Sequence, residues 1–112
     1  MKPHFSPYVV AGDLVFLSGQ LGFDASGVLV EGIEAQTRTA LAHVERVLGE
    51  AGLGLGDVVK ATCWITRAED FPVFNQTYAA VFGDHKPARS TVVSGLAAPG
   101  AVVEIEVVAH RG

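Results

Sequence analysis

Between positions 33 and 51 the apolar residues recur at steps of three and four: Ile33, Thr37, Ala40, Leu41, Val44, Val47, Leu48 and Ala51, with Glu34, Arg38, Glu45 and Arg46 largely elsewhere. That period writes one apolar stripe on a helix, and Gly52 follows as the residue that stops it. A second stripe, Phe71, Phe74, Tyr78, Val81 and Phe82, predicts another helix with Asp70 as N-cap, Pro72 in its first turn and Gly83 at its end. Elsewhere the chain is β-prone. Residues 8–11 and 14–18 flank Gly12-Asp13 and read as a tight hairpin. Residues 24–27 form a turn into a short extended piece at 28–30. Residues 58–66 are apolar on both sides, as in a central strand covered on both faces. Strands at 88–94 and 101–109 close the chain around the loop 95–100.

The element order is therefore ββαβαββ, an α+β domain whose mixed sheet carries two helices on one face. Its βαβ steps require right-handed crossovers. In the last strand Val103, Ile105 and Val107 should face the helices. Val102 and Val108 then share the other face with Glu104 and Glu106. Nothing in the chain is left to cover that second face.

Composition sharpens this point. The 112 residues suit one domain with one core, yet 49% are hydrophobic and only 18% charged. The surplus apolar surface calls for another subunit, and a closed ring of copies would supply it. A net charge of −4 without a basic cluster argues against nucleic acid. The lone Cys63 fits a reducing compartment, no apolar run is long enough for a membrane span, and the N-terminus lacks a signal-peptide core. A cytoplasmic location is expected.

The candidate chemistry lies between residues 86 and 108. Arg89 enters a strand just after Pro87, with Thr91 and Val93 on the same side by alternation. Its guanidinium is either a surface ion-pair partner or a bidentate clamp for a carboxylate. Glu104 and Glu106, two apart on the next strand, are either solvated charges or include a water-orienting general acid/base. The arginine and the acids are expected on a common sheet face. The four histidines, His4, His43, His85 and His110, are scattered without ligand spacing, so they read as surface residues and no metal is expected. Cys63, mid-strand in an apolar run, reads as an inert core thiol. Gly19 and Gly22 lack the companions of a phosphate loop.

Several stretches together resemble the Rid family, the RidA/YjgF-like imine deaminases. They are Ser6-Pro7-Tyr8, Leu17-Ser18-Gly19-Gln20, Ile33-Glu34-Ala35-Gln36-Thr37, Asp57-Val58-Val59-Lys60-Ala61-Thr62, Phe74-Asn75-Gln76-Thr77-Tyr78, Pro87-Ala88-Arg89-Ser90 and Val103-Glu104-Ile105-Glu106. The resemblance implies a chorismate-mutase-like fold, a homotrimer with sites in clefts between subunits, and no cofactor. It further implies hydrolysis of reactive 2-imino or enamine acids, such as 2-iminopropanoate or 2-iminobutanoate, to 2-keto acids and ammonia. Arg89 would hold the substrate carboxylate and Glu104 would orient water. Tyr8, Ser18, Gly19, Asn75 and Thr91 would line the cleft. One position departs from the family pattern: Thr91 stands where archetypal members have cysteine. The same cleft also admits a non-catalytic keto-acid-binding, chaperone-like or regulatory role, or deamination of an aromatic-degradation intermediate.

Overall fold

The computed structural model describes residues 3–112. Strands β1 (Tyr8–Ala11) and β2 (Leu14–Leu17) pair antiparallel around Gly12-Asp13. Gly12 has φ 63° at the first turn position, where a side chain would be strained and a two-residue hairpin accepts glycine. Helix α1 (Ile33–Glu50) follows, then β3 (Val58–Ile65), helix α2 (Phe71–Phe82), β4 (Ala88–Val93) and β5 (Val103–His110). The expected ββαβαββ order and α+β class are both present.

Along the sheet the strands run β1-β2-β5-β3-β4, with β3 and β4 parallel and the other neighbours antiparallel. The last strand is thus the middle one. Its alternation is clean: Val103, Ile105, Val107 and Ala109 are buried, while Glu104, Glu106 and Val108 are half-buried on the other side. The buried set meets Ala40, Leu41, Val44, Val47 and Leu48 of α1 together with Phe74, Tyr78 and Phe82 of α2. Burying each such aliphatic side chain stabilises the fold by roughly 1.5–3 kcal/mol. At the end of α1 Leu53 N–H donates to Leu48 O (2.8 Å) and Gly52 N–H to Gly49 O (3.1 Å). This is the Schellman pattern, made by Gly52 at φ 78°.

Local expectations fail where a partner element overrides them. Residues 28–30 form no strand; only the isolated bridge Phe23–Leu29 marks them. Asp70 makes no side-chain cap, because a 3₁₀ turn over Ala68–Asp70 already runs into α2. Strand β3 is covered on one face only within the chain: Ala61, Cys63 and Ile65 are buried, but Lys60, Thr62 and Trp64 are half-exposed. Phe71, expected in the buried stripe, is exposed at the start of α2. His43 and His85 are not plain surface residues. Each ring holds a backbone carbonyl, Phe23 O at 2.6 Å and Val58 O at 2.7 Å respectively.

Candidate active site

Strand pairing decides where Arg89 points. In the parallel register Arg89 lies beside Ala61 and Thr91 beside Cys63, so both face the helices. Because β4 is the sheet edge, Arg89 is only half-buried there, and α2 passes over it. Its guanidinium carbon sits 4.7 Å from the Tyr78 ring centre and 5.6 Å from those of Phe71 and Phe74. These rings form a ladder with Phe82, because their three- and four-residue spacing puts them on one side of α2. A cation over aromatic faces gains about 0.5–2 kcal/mol, depending on desolvation.

The charge itself is unmatched. Among the described residues the ion pairs are Arg38–Glu34, Arg46–Glu50 and Arg67–Glu69, and none involves Arg89. Beside it, the hydroxyls of Tyr78 and Thr91 are buried without a hydrogen-bond partner. Burial, reinforced by the neighbouring Cys63 and opposed by Arg89, pushes the Tyr78 phenol up to about 12. Burial likewise pushes the Cys63 thiol up to about 12, so it is an inert core thiol. A cavity of about 360 Å³ opens beside the guanidinium, with Asn75, Tyr78, Phe82, His85 and Lys86 on its walls and no carboxylate among them. This is a setting for an anion.

Glu104 belongs to the other face. It pairs across the antiparallel ladder with Trp64, in phase with the half-exposed residues of β3. The β2–β5 pairing slips after Phe16–Val108, and Gln20 and Ile105 then exchange both backbone bonds, at 2.8 and 3.0 Å. This brings Gly19 against the Glu104 side chain so closely that a Cβ there would overlap its carboxylate oxygen. Burial raises the Glu104 carboxyl above the usual carboxylate value, and the neighbouring Glu106 raises it further. A second cavity, about 230 Å³, lies over it between Trp64 and the loop carrying Ser94 and Leu96. A partly desolvated carboxylate with room for water is the arrangement a general acid/base needs.

The expected common sheet face for arginine and acids is therefore wrong. Arg89 and Glu104 lie on opposite faces, with β3 between their strands. Two strand spacings alone amount to about 10 Å. The alternation within each strand is legible in the sequence, but the relative phase of two strands is set only by their pairing.

The remaining candidates divide the same way. Asn75 and Thr91 join Arg89 on the helix side. Ser18 adjoins Gly19, with its hydroxyl donating to Ser6 O at 2.6 Å and so tying down the N-terminal segment. Tyr8 is apart from both groups, on the opposite edge strand, its hydroxyl directed at Glu50 O (3.5 Å) at the C-terminal end of α1. Three neighbours of the site were missed or misassigned. Tyr78 is in the core as expected but also lies against Arg89, Phe71 is exposed beside that guanidinium instead of buried, and Trp64 was hidden in an apolar run; its alternation with Lys60 and Thr62 is the signal that could have placed it. Among the described residues no three His, Cys, Asp or Glu side chains are grouped to hold a metal ion. No described helix is long and apolar enough to cross a membrane.

Residues 2–111 match the family model described as Endoribonuclease L-PSP. The chain belongs to this family, that of the RidA and YjgF proteins. It is 38% identical over 112 residues to the 2-iminobutanoate/2-iminopropanoate deaminase of Salmonella typhimurium, with 94% of this chain and 88% of that one covered. A RutC family protein of Pyrococcus horikoshii is 36% identical over 109 residues, covering 96% and 86%. The crystal structure of RidA from an Antarctic Psychrobacter superposes with a TM-score of 0.92 at 36% identity, covering 96% of this chain and 89% of that one. The likeness thus extends over the α+β fold with its mixed sheet and two helices.

Proposed function

We propose that the protein hydrolyses 2-imino acids and their enamine tautomers to 2-keto acids and ammonia. The observation that carries this reading is the unpaired Arg89 guanidinium, held over three aromatic rings beside an acid-free cavity. It is poised for a carboxylate. The name of the Salmonella typhimurium relative supplies the reaction class.

In this reading Arg89 grips the substrate carboxylate with its planar fork. Glu104 takes a proton from a water as that water adds to the imine carbon. Glu104 passes that proton to the nitrogen of the resulting carbinolamine, the C–N bond breaks as the hydroxyl becomes the carbonyl and gives its proton back to Glu104, and ammonia leaves the keto acid behind. No electrons are exchanged and no cofactor is required. Positioning supplies most of the acceleration, because a protonated imine is already electrophilic. The separation of Arg89 from Glu104 means that one small substrate cannot touch both within one chain. We assign the complete site to the junction of two copies, Arg89 from one and Glu104 from the next, within a homotrimer. The net charge of −4 and the acid on the open face speak against the RNA cleavage in the family's description.

The test is direct. A threonine dehydratase generates the imine, and its decay is followed with and without the protein. Acceleration is expected, and it should disappear in Arg89→Ala. No acceleration, or an undiminished rate in the variant, overturns the reading.

A second reading rests on the fact that the Arg89 cavity is formed without Glu104. Such a half-site can bind a keto acid and do nothing more. It predicts that 2-ketobutanoate raises thermal stability, by about 2.7 kcal/mol at a hundredfold excess over Kd, with no turnover.

A further inference from the structure

The cavity over Glu104 has a wall that the reaction itself does not call for. Trp64 is the register partner of Glu104 across β3 and β5 and lines the same cavity, together with Leu96. Side chains paired in this way have Cβ atoms about 4.5–5.5 Å apart. An indole is longer than that gap, so a carbon within reach of a water held by Glu104 has its substituent beside the ring. Trp64 is half-buried on a face that also carries Lys60, Thr62, Ser90, the two glutamates and the smaller apolar side chains of Val92 and Val108. Within the ladder around Glu104 it is the large apolar surface. The Glu104 carboxylate is hemmed in by Gly19 on its other side, so a bulky substituent has its apolar contact towards Trp64 and Leu96.

We propose that Trp64 is a specificity-determining residue: its indole, with Leu96, packs against the side chain of the imino acid and favours substrates with branched or extended apolar side chains over the smallest one. This rests on the imine-hydrolase reading, but it separates from it experimentally. A pocket wall of this kind changes the relative rates for substrates that differ by a few carbons. Each methylene in such a pocket is worth about tenfold or more when fully enclosed, and less in a half-open cavity such as this one.

Trp64 is also the only tryptophan in the chain. Its emission therefore reports on that wall without any turnover. Titration of the wild-type protein with pyruvate, 2-ketobutanoate and 4-methyl-2-oxopentanoate is expected to give a saturable change in Trp64 fluorescence. The concentration dependence should match the rise in melting temperature, with the longest acid binding tightest. A rise in melting temperature with unchanged fluorescence overturns the inference while leaving the keto-acid site intact. Neither response to any of the acids overturns both.

The kinetic arm compares kcat/KM for the imines of leucine and alanine. The leucine-to-alanine ratio is expected to fall about fivefold to tenfold in Trp64→Ala and by less in Trp64→Phe, which serves if the alanine variant does not fold. An unchanged ratio in the folded variants overturns the role of Trp64. Absence of acceleration for every imine in the wild type counts against the reaction instead, and the fluorescence arm then decides the wall alone.

Discussion

Arg89 and Glu104 face away from each other: Arg89 is registered with buried Ala61 on the helix side of the sheet, and Glu104 with half-exposed Trp64 on the bare side. Under the proposed mechanism, a site that uses both is built from two chains. Arg89→Ala and Glu104→Gln should each be inactive alone, with kcat/KM reduced about a hundredfold or more. When the two variants are unfolded together in equal amounts and refolded, random assembly of the proposed trimer restores both intact groups at about a quarter of the sites. Activity near that fraction of wild type is the expected outcome. No recovery in correctly assembled mixtures would place the two residues in the same protomer's site or outside the site altogether.

Gly19 is expected to matter for chemistry more than for folding. A Cβ at this position meets the far end of the flexible Glu104 side chain, the part of it that can move aside. Gly19→Ala should therefore lower stability by less than about 1 kcal/mol, at the mild end of overpacking, while reducing kcat/KM at least tenfold. Thermal melts and imine-decay kinetics on the same preparation separate the two effects. A large loss of stability would show that the carboxylate cannot yield.

Thr91 carries a buried hydroxyl without a partner. Thr91→Val keeps the shape and removes the orphan, so the free protein should gain about 1 kcal/mol of stability. If that hydroxyl is kept to bind ligand, keto-acid affinity falls in the same variant. Denaturant melts with and without 2-ketobutanoate give both numbers. A variant that is more stable and binds equally well would remove Thr91 from the site.

The Glu104 carboxyl is raised by burial first and by Glu106 second. Water activation needs the ionised form, so activity should fall on the acid side at a pH above the usual carboxylate range. Glu106→Gln removes the second cause only, and the acidic limb of kcat/KM should move modestly to lower pH. The stability sign is opposite to that of an ion-paired carboxylate. With the folded value above the unfolded one, the folded state holds the proton more tightly, and stability falls as pH rises between the two values. Glu104→Gln should accordingly flatten that decline in melting temperature.

Much of the fold was legible because its two periods do not mimic each other. The three- and four-residue steps of α1 and α2, the glycines at 52 and 83, and the strict alternation of β5 are local consequences of backbone geometry. Short segments were less legible. Residues 28–30 look extended but have no neighbour to pair with beyond one bridge, and the aspartate before α2 loses its capping role to a 3₁₀ turn.

Within the site, the sequence by itself determined the residue types: an arginine two residues after a proline, a carboxylate alternating with buried Val103 and Ile105, a threonine two residues beyond the arginine. It also determined that one sheet face would lack cover. Only the tertiary structure decided which face each charged group occupies, because a strand's alternation says nothing of its phase relative to a strand it has not yet paired with. That same pairing put three aromatic rings under Arg89 and Trp64 beside Glu104. Those contacts join residues distant in sequence, and no local period records them.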